Sequence, residues 1–160
     1  MMHKAGDVKA FTLVELMIVI AIIGIMMAVA TPSFRTYNVN SMADNAHKAL
    51  LQDIKFGRST ARDVGTSVEI FPRDGDWNKG WIVNEIGGAP LRLHGPLDQT
   101  VITSNNYNDQ DGSKLIFNER GRASAVGSFQ IRTAGCTGER NRNIDINIMG
   151  QARTTTLNCP

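Results

Sequence analysis

The sequence predicts an α+β protein in which one long N-terminal helix packs on an antiparallel β-sheet domain. Three observations carry this. Phe11 to Ala30 is an apolar run of 20 residues broken by one charge, Glu15. Apolar residues then recur at helical spacing as far as Ala61. Beyond Gly65 the chain turns into short β-rich segments separated by Gly, Asn, Asp and Pro.

A helix built from the first run, rising 1.5 Å per residue, spans roughly 30 Å, the thickness of a bilayer's hydrocarbon core. The ten residues before it carry Lys4 and Lys9 against Asp7. Basic residues beside a membrane helix favour the cytoplasmic side, so the expectation is a single pass with the N-terminus inside and residues 31–160 exported. Glu15 is what a plain anchor does not explain. An ionised carboxylate in a membrane helix costs about 2.5–3.5 kcal/mol, so it calls for a partner, a task or a place close to the headgroups.

After Pro32 the helical pattern resumes. Phe34, Tyr37, Met42, Ala46, Leu50, Ile54 and Ala61 fall close to one face, with Lys48, Asp53, Lys55 and Arg58 on the others, which predicts an amphipathic continuation over 32–64 that packs against a sheet. Pro32 lacks an N–H and clashes with the preceding turn, so a kink or loosened turn is expected there, in a segment that Gly24 and Pro32 bracket with low helix propensity. The helix is expected to end at Asp63-Val64-Gly65. Strands are expected at 66–71, 80–83, 90–94, 99–103, 114–117, 128–132, 143–148 and 153–157, together forming one antiparallel sheet region within a 65–160 domain.

Composition limits the rest. The chain has 160 residues and a net charge of +2, and about 130 residues follow the apolar run, enough for one modest domain. Charge is divided along the chain, with net −4 over 62–112 and +4 over 113–160. This permits a basic surface, although halves of a sequence need not be halves in space. Cys136 and Cys159, placed outside the cytoplasm, read as a disulfide worth about 3 kcal/mol in the chain-entropy model. Two thiols without a nearby His do not complete a zinc shell. The two tryptophans, Trp77 and Trp81, read as core packing around Gly80.

Chemistry-bearing patterns are few. Asp109-Gln110-Asp111-Gly112 resembles part of a calcium loop, but an EF-hand ending so would begin at Tyr107 and close at Asn118, neither of which supplies a carboxylate. Asp74-Gly75-Asp76 is a second acidic turn, and such residues commonly serve turn geometry. His47 and His94 have no nucleophile at a recognisable spacing, and the chain carries no nucleophile elbow, phosphate loop or zinc motif. No enzymatic activity and no cofactor or metal are expected.

Lys9-Ala10-Phe11-Thr12-Leu13-Val14-Glu15, the uninterrupted apolar helix and Pro32 resemble the N-terminus of type IV pilins and pseudopilins. The resemblance implies a leader over residues 1–10, cleavage between Ala10 and Phe11 by a prepilin peptidase, and N-methylation of Phe11. Glu15 and Pro32 stand fifth and twenty-second counted from Phe11, where the family places its Glu and Pro. One departure is Ala10, where the family usually has Gly; Ala is the next smallest side chain. Glu15 would meet the Phe11 amine of a neighbouring subunit, relieving the cost of burial for both charges and favouring a filament over a lone subunit in lipid.

Gly57-Arg58-Ser59-Thr60-Ala61, Trp77-Asn78-Lys79-Gly80-Trp81 and Ile116-Phe117-Asn118-Glu119-Arg120-Gly121 narrow the resemblance to the GspH/FimT/FimU branch. It implies a pilin fold with the membrane half of the helix over 11–31, and a minor pilin that helps to initiate or cap a pilus tip. The implied location is the bacterial inner membrane with a periplasmic body, and the implied partners are other minor and major pilins. Two alternatives share the fold: a minor pseudopilin of type II secretion, and a FimT-like pilin that binds DNA for uptake. The DNA-binding members carry Gly-Arg-x-Arg near the C-terminus, and here the stretch reads Gly150-Gln151-Ala152-Arg153. Gln151 releases no counterion, so Arg140 and Arg142, with Arg120 and Arg122, would have to share a face with Arg153.

Overall fold

The computed structural model describes residues 11–107 and 114–160, with backbone alone for 29–32. Helix α1 runs over Leu13–Val64. It is helical through Pro32, and Gly65 follows it in a left-handed conformation, where the sequence places the stop. The chain divides into two compact units, Met1–Arg35 and Thr36–Pro160.

In the first unit the apolar run is exposed over 11–28, with Phe11 81%, Leu16 61% and Ile25 69% accessible. This stretch is long and apolar enough to cross a membrane.

In the second unit, eight strands follow the helix: β1 Val68–Pro72, β2 Trp81–Glu85, β3 Pro90–Leu93, β4 Thr100–Asn105, β5 Leu115–Phe117, β6 Gly127–Thr133, β7 Asn141–Ile146 and β8 Ala152–Leu157. Each answers to an expected segment, displaced by two residues or fewer at most ends. The single sheet region resolves into two four-stranded antiparallel sheets, ordered β3-β2-β1-β5 and β4-β6-β7-β8. The chain leaves the first sheet at Gly95-Pro96, between β3 and β4, where Pro withholds a ladder donor, and returns to it for β5 beside β1. Chain beyond Pro96 begins a new sheet by pairing Thr100–Asn105 with Ser128–Thr133.

Alternation along the strands sends Val68, Ile70, Trp81, Val83, Leu115 and Phe117 of the first sheet, and Ile102, Phe129, Ile131, Ile144 and Ile146 of the second, into one core. Ala46, Leu50, Ile54 and Ala61 supply the helix side of it. Gly57 lies between them, where an added Cβ would stand 3.1 Å from Ile70 Cδ1, so a glycine in mid-helix buys close approach to β1. The expected apolar face is shortened at its start, because Phe34 and Tyr37 are 67% and 69% exposed and burial begins at Ala43. Trp77 and Trp81 are core residues, their indole N–H groups donating to Tyr107 O at 2.7 Å and to Asp53 Oδ2 at 2.8 Å.

Candidate functional site: the helix start and a basic groove

At the helix start, Thr12 and Glu15 cap one another. The Glu15 N–H donates to Thr12 Oγ1 at 3.2 Å, and the Thr12 N–H donates to Glu15 Oε2 at 3.5 Å. This reciprocal T-x-x-E pair satisfies N–H groups that a helix start leaves without intrahelical partners, and it sets a carboxylate at the positive end of the dipole. The sequence expectation for Glu15, a partner for a neighbour's amine, does not include this capping role, although the T-x-x-E spacing signals it. Ala10 and the rest of the expected leader lie outside the described residues, as do Asp109, Asp111 and Gly112 of the acidic loop.

Two of the phrases that carry the narrower resemblance, those at Arg58 and Gly121, meet in space. Arg58, on α1, donates from Nε to Gly121 O at 2.9 Å and from a terminal nitrogen to Met149 O at 3.0 Å, pinning two turns to the helix. The first is held by Asn118, whose Oδ1 accepts the N–H groups of Arg120 and Arg122 at 3.0 Å each. In the second, Gly150 has φ 72° and a Cβ there would stand 2.2 Å from Gly121 O. Only glycine lets the two turns approach this closely.

Beside this clamp is a groove of about 220 Å³ lined by Lys55, Arg58, Ser59, Arg62, Gln151 and Ala152, among others. Its charged lining residues are all cationic. The exposed Arg120 and Arg122 flank Gly121, which Arg58 anchors at the groove. Lys55 and Arg62 there could each offer a salt-sensitive contact to a phosphate or carboxylate.

The expected trio of Arg140, Arg142 and Arg153 does not form one patch, which corrects that expectation. Arg140 and Arg142 both pair with Asp44 on α1, Arg142 at 3.6 Å, and Arg142 also donates to Glu139 O at 2.6 Å. Arg153 sits opposite Asp145 in the β7–β8 register, one position from the inward pair Ala152 and Ile146. Successive residues of a strand point to opposite faces, so Arg153 is on the open face of the second sheet while Arg142, in phase with Ile144 and Ile146, is on the helix side. Sequence spacing hid this, because Asp44 is almost a hundred positions away.

Other long-range partners surround α1. Asp53, expected off the apolar face of the helix, is 6% exposed, accepting from Trp81 Nε1 and pairing with Arg92 at 2.9 Å. Arg92 lies over the Phe56 ring, 3.7 Å from its centre. His47 contacts Thr154 Oγ1 at 3.3 Å, and burial first, then the Arg142 charge, lowers its pKa from the ordinary 6.5. Asn40 accepts from the Thr137 N–H at 3.0 Å, tying α1 to the loop that holds Cys136. Cys136 and Cys159 form the expected disulfide, with Cα atoms 5.6 Å apart.

One long N-terminal helix packed on antiparallel sheets matches the type IV pilin fold. The minor pilin FimU of Pseudomonas aeruginosa superposes with a TM-score of 0.54 at 20% identity, over 79% of this chain and 98% of that one; a second crystal form of it gives 0.52 at 21% identity, over 75% and 98%. Residues 46–150 match the family described as type II transport protein GspH, and residues 7–31 match the prokaryotic N-terminal methylation motif. The chain belongs to the GspH/FimT/FimU family of pilin-like proteins. Among curated proteins it is 31% identical to the type IV major pilin PilE1 of Neisseria gonorrhoeae, over 67% of this chain and 66% of that one. It is 30% identical to the type IV major fimbrial protein FimA of Dichelobacter nodosus, over 68% and 65%. The chain thus covers slightly less than two thirds of these relatives' length.

Proposed function

We propose that this chain is a minor pilin, cut by a prepilin peptidase between Ala10 and Phe11, N-methylated on Phe11, and built through its exposed apolar helix into a type IV pilus. Its role is structural, at or near the filament tip, where it helps to start or cap assembly; no catalysis is assigned to it. Before assembly it is held in the bacterial inner membrane with its body in the periplasm. The observation that carries this reading is the apolar run that opens α1, exposed over 11–28 and matched to the methylation motif over 7–31. Such a surface needs lipid, or the helices of other pilins, to cover it.

The experiment is Glu15→Ala in a strain lacking the native gene, comparing protein retained in the membrane with protein in sheared filaments. The variant is expected to reach the membrane and to fall several-fold in filaments, since Glu15 no longer offers a neighbour's amine a carboxylate. Equal incorporation of variant and wild type would sink the pairing. The family description also supports a pseudopilin of type II secretion, and genes neighbouring its own would separate the two.

A DNA-binding role is favoured by one observation, the all-cationic groove at Lys55, Arg58 and Arg62 beside Gln151. Its test is duplex affinity across a salt series. Lys55→Gln with Arg62→Gln is expected to lower the salt slope by about 0.9 for each lost phosphate contact. Absence of binding at low salt would remove this role.

A further inference from the structure

A larger groove, about 640 Å³, crosses the open face of the second sheet. Small-ligand sites commonly enclose roughly 300–1,000 Å³. Its lining runs from Val101 on β4, through Gln130 and Arg132 on β6, to Leu157 on β8, with Ala134 and Pro160 beside them. Register sets this row, since Val101 pairs with Arg132 and Asn141 with Leu157. The groove therefore lies across the strands.

Arg132 is the one cationic side chain of its lining, and no lining side chain is acidic. Among the described residues Arg132 is exposed and has no ion pair. The carboxylate on this face, Asp145, is opposite Ser128, four residues along β6 from Arg132, or about 13 Å at strand spacing. It is also directly across from Arg153.

The groove is held in shape from beneath. Asn141, 3% exposed, accepts the Thr133 N–H at 3.0 Å and donates to Asn158 O at 2.9 Å. The Cys136–Cys159 disulfide and the Cys159 N–H bond to Gly138 O at 2.8 Å fix the tail on the other side.

We propose that this groove docks a carboxylate-bearing apolar segment of a neighbouring protein subunit, with the carboxylate on Arg132 and its apolar flanks against Val101, Ala134, Leu157 and Pro160. Charge complementarity carries the assignment, because a guanidinium with no ion pair beside apolar walls matches a single acid among apolar groups. A phosphate polymer would need a row of cations, and the lining offers one. Addition of a strand is not the mode, because the groove crosses the strands instead of following an edge. That the occupant is another subunit rests on the pilin reading above.

The test uses the full chain in detergent micelles and fluorescence anisotropy with a short labelled peptide of alternating valine and glutamate. The glutamate peptide is expected to bind, and its glutamine counterpart to bind at least about tenfold more weakly. Arg132→Gln should weaken binding at least about tenfold, while Arg153→Gln, the same change of charge on the same face outside the groove, leaves it unaltered. Cys136→Ser should weaken it as well, by freeing the tail. Equal binding of the two peptides, equal effects of the two arginine variants, or no binding of the glutamate peptide would each overturn the proposal. Displacement of the peptide by a duplex oligonucleotide that also needs Arg132 would overturn the choice of a protein partner. Filament incorporation is not read in this assay, so its failure leaves the pilin role standing.

Discussion

Replacing Asp53 tests how the helix is fastened to the first sheet. Its two carboxylate oxygens are divided between partners, Oδ2 accepting the Trp81 indole N–H at 2.8 Å and Oδ1 the Arg92 guanidinium at 2.9 Å. Trp81 is fully buried and stacked on His94 with ring centres 4.0 Å apart, and Asp53 is the acceptor its indole N–H has there. Asp53→Ala therefore leaves a buried donor unpaired, about 1–3 kcal/mol, and removes a charge-assisted bond to Arg92. Arg92 is partly exposed and water replaces some of that bond, so the total is expected to be about 2–4 kcal/mol. Asp53→Asn keeps an acceptor for the indole and loses only the charge, and about 1 kcal/mol is expected. Urea unfolding of the body, Thr36–Pro160, followed by tryptophan fluorescence, measures both. Two variants within about 0.5 kcal/mol of wild type would refute the view that this buried acid fastens the helix.

Two further predictions concern the same body. Cys136→Ser is expected to lower its stability under oxidising conditions by about 3 kcal/mol, because the bridge closes a loop across a separation of 23 residues; unchanged melting would count against a stabilising bridge. For His47 the folded pKa lies below 6.5, so at mildly acidic pH the unfolded chain binds the extra proton and stability falls with pH. The protein should hold its full stability above about pH 6.5 and lose some of it as pH drops below that value towards the lowered folded pKa. Asp44, Lys48, Lys55 and Arg142 set this environment together with burial. His47→Gln should flatten that part of the stability profile, and an unchanged slope would assign it to other groups.

The local pattern of the chain was legible because its causes are local. Periodicity near 3.6 and then near 2 reports which side of each element meets apolar neighbours, and turn residues mark where elements stop. The long helix, its end at Val64, the eight strands and the two core tryptophans follow from that alone. Even the capping pair of Thr12 and Glu15 is a spacing, visible without coordinates.

What depends on distant partners was not legible. Asp53 falls beside the apolar stripe and only the approach of Trp81 and Arg92 makes it a core residue. Arg140 and Arg142 read as free cations until Asp44, far away in the sequence, arrives to pair them. Arg153 parts company with them because strand pleating and register, which no composition encodes, put it on the other face of the sheet. The chain by itself determined the helix, the strands and the kind of protein; the tertiary structure decided which charges are spent inside it and which, as at Lys55, Arg62 and Arg132, are left on grooves. The reason is that an ion pair or a face is a property of two segments brought together, and sequence states each segment separately.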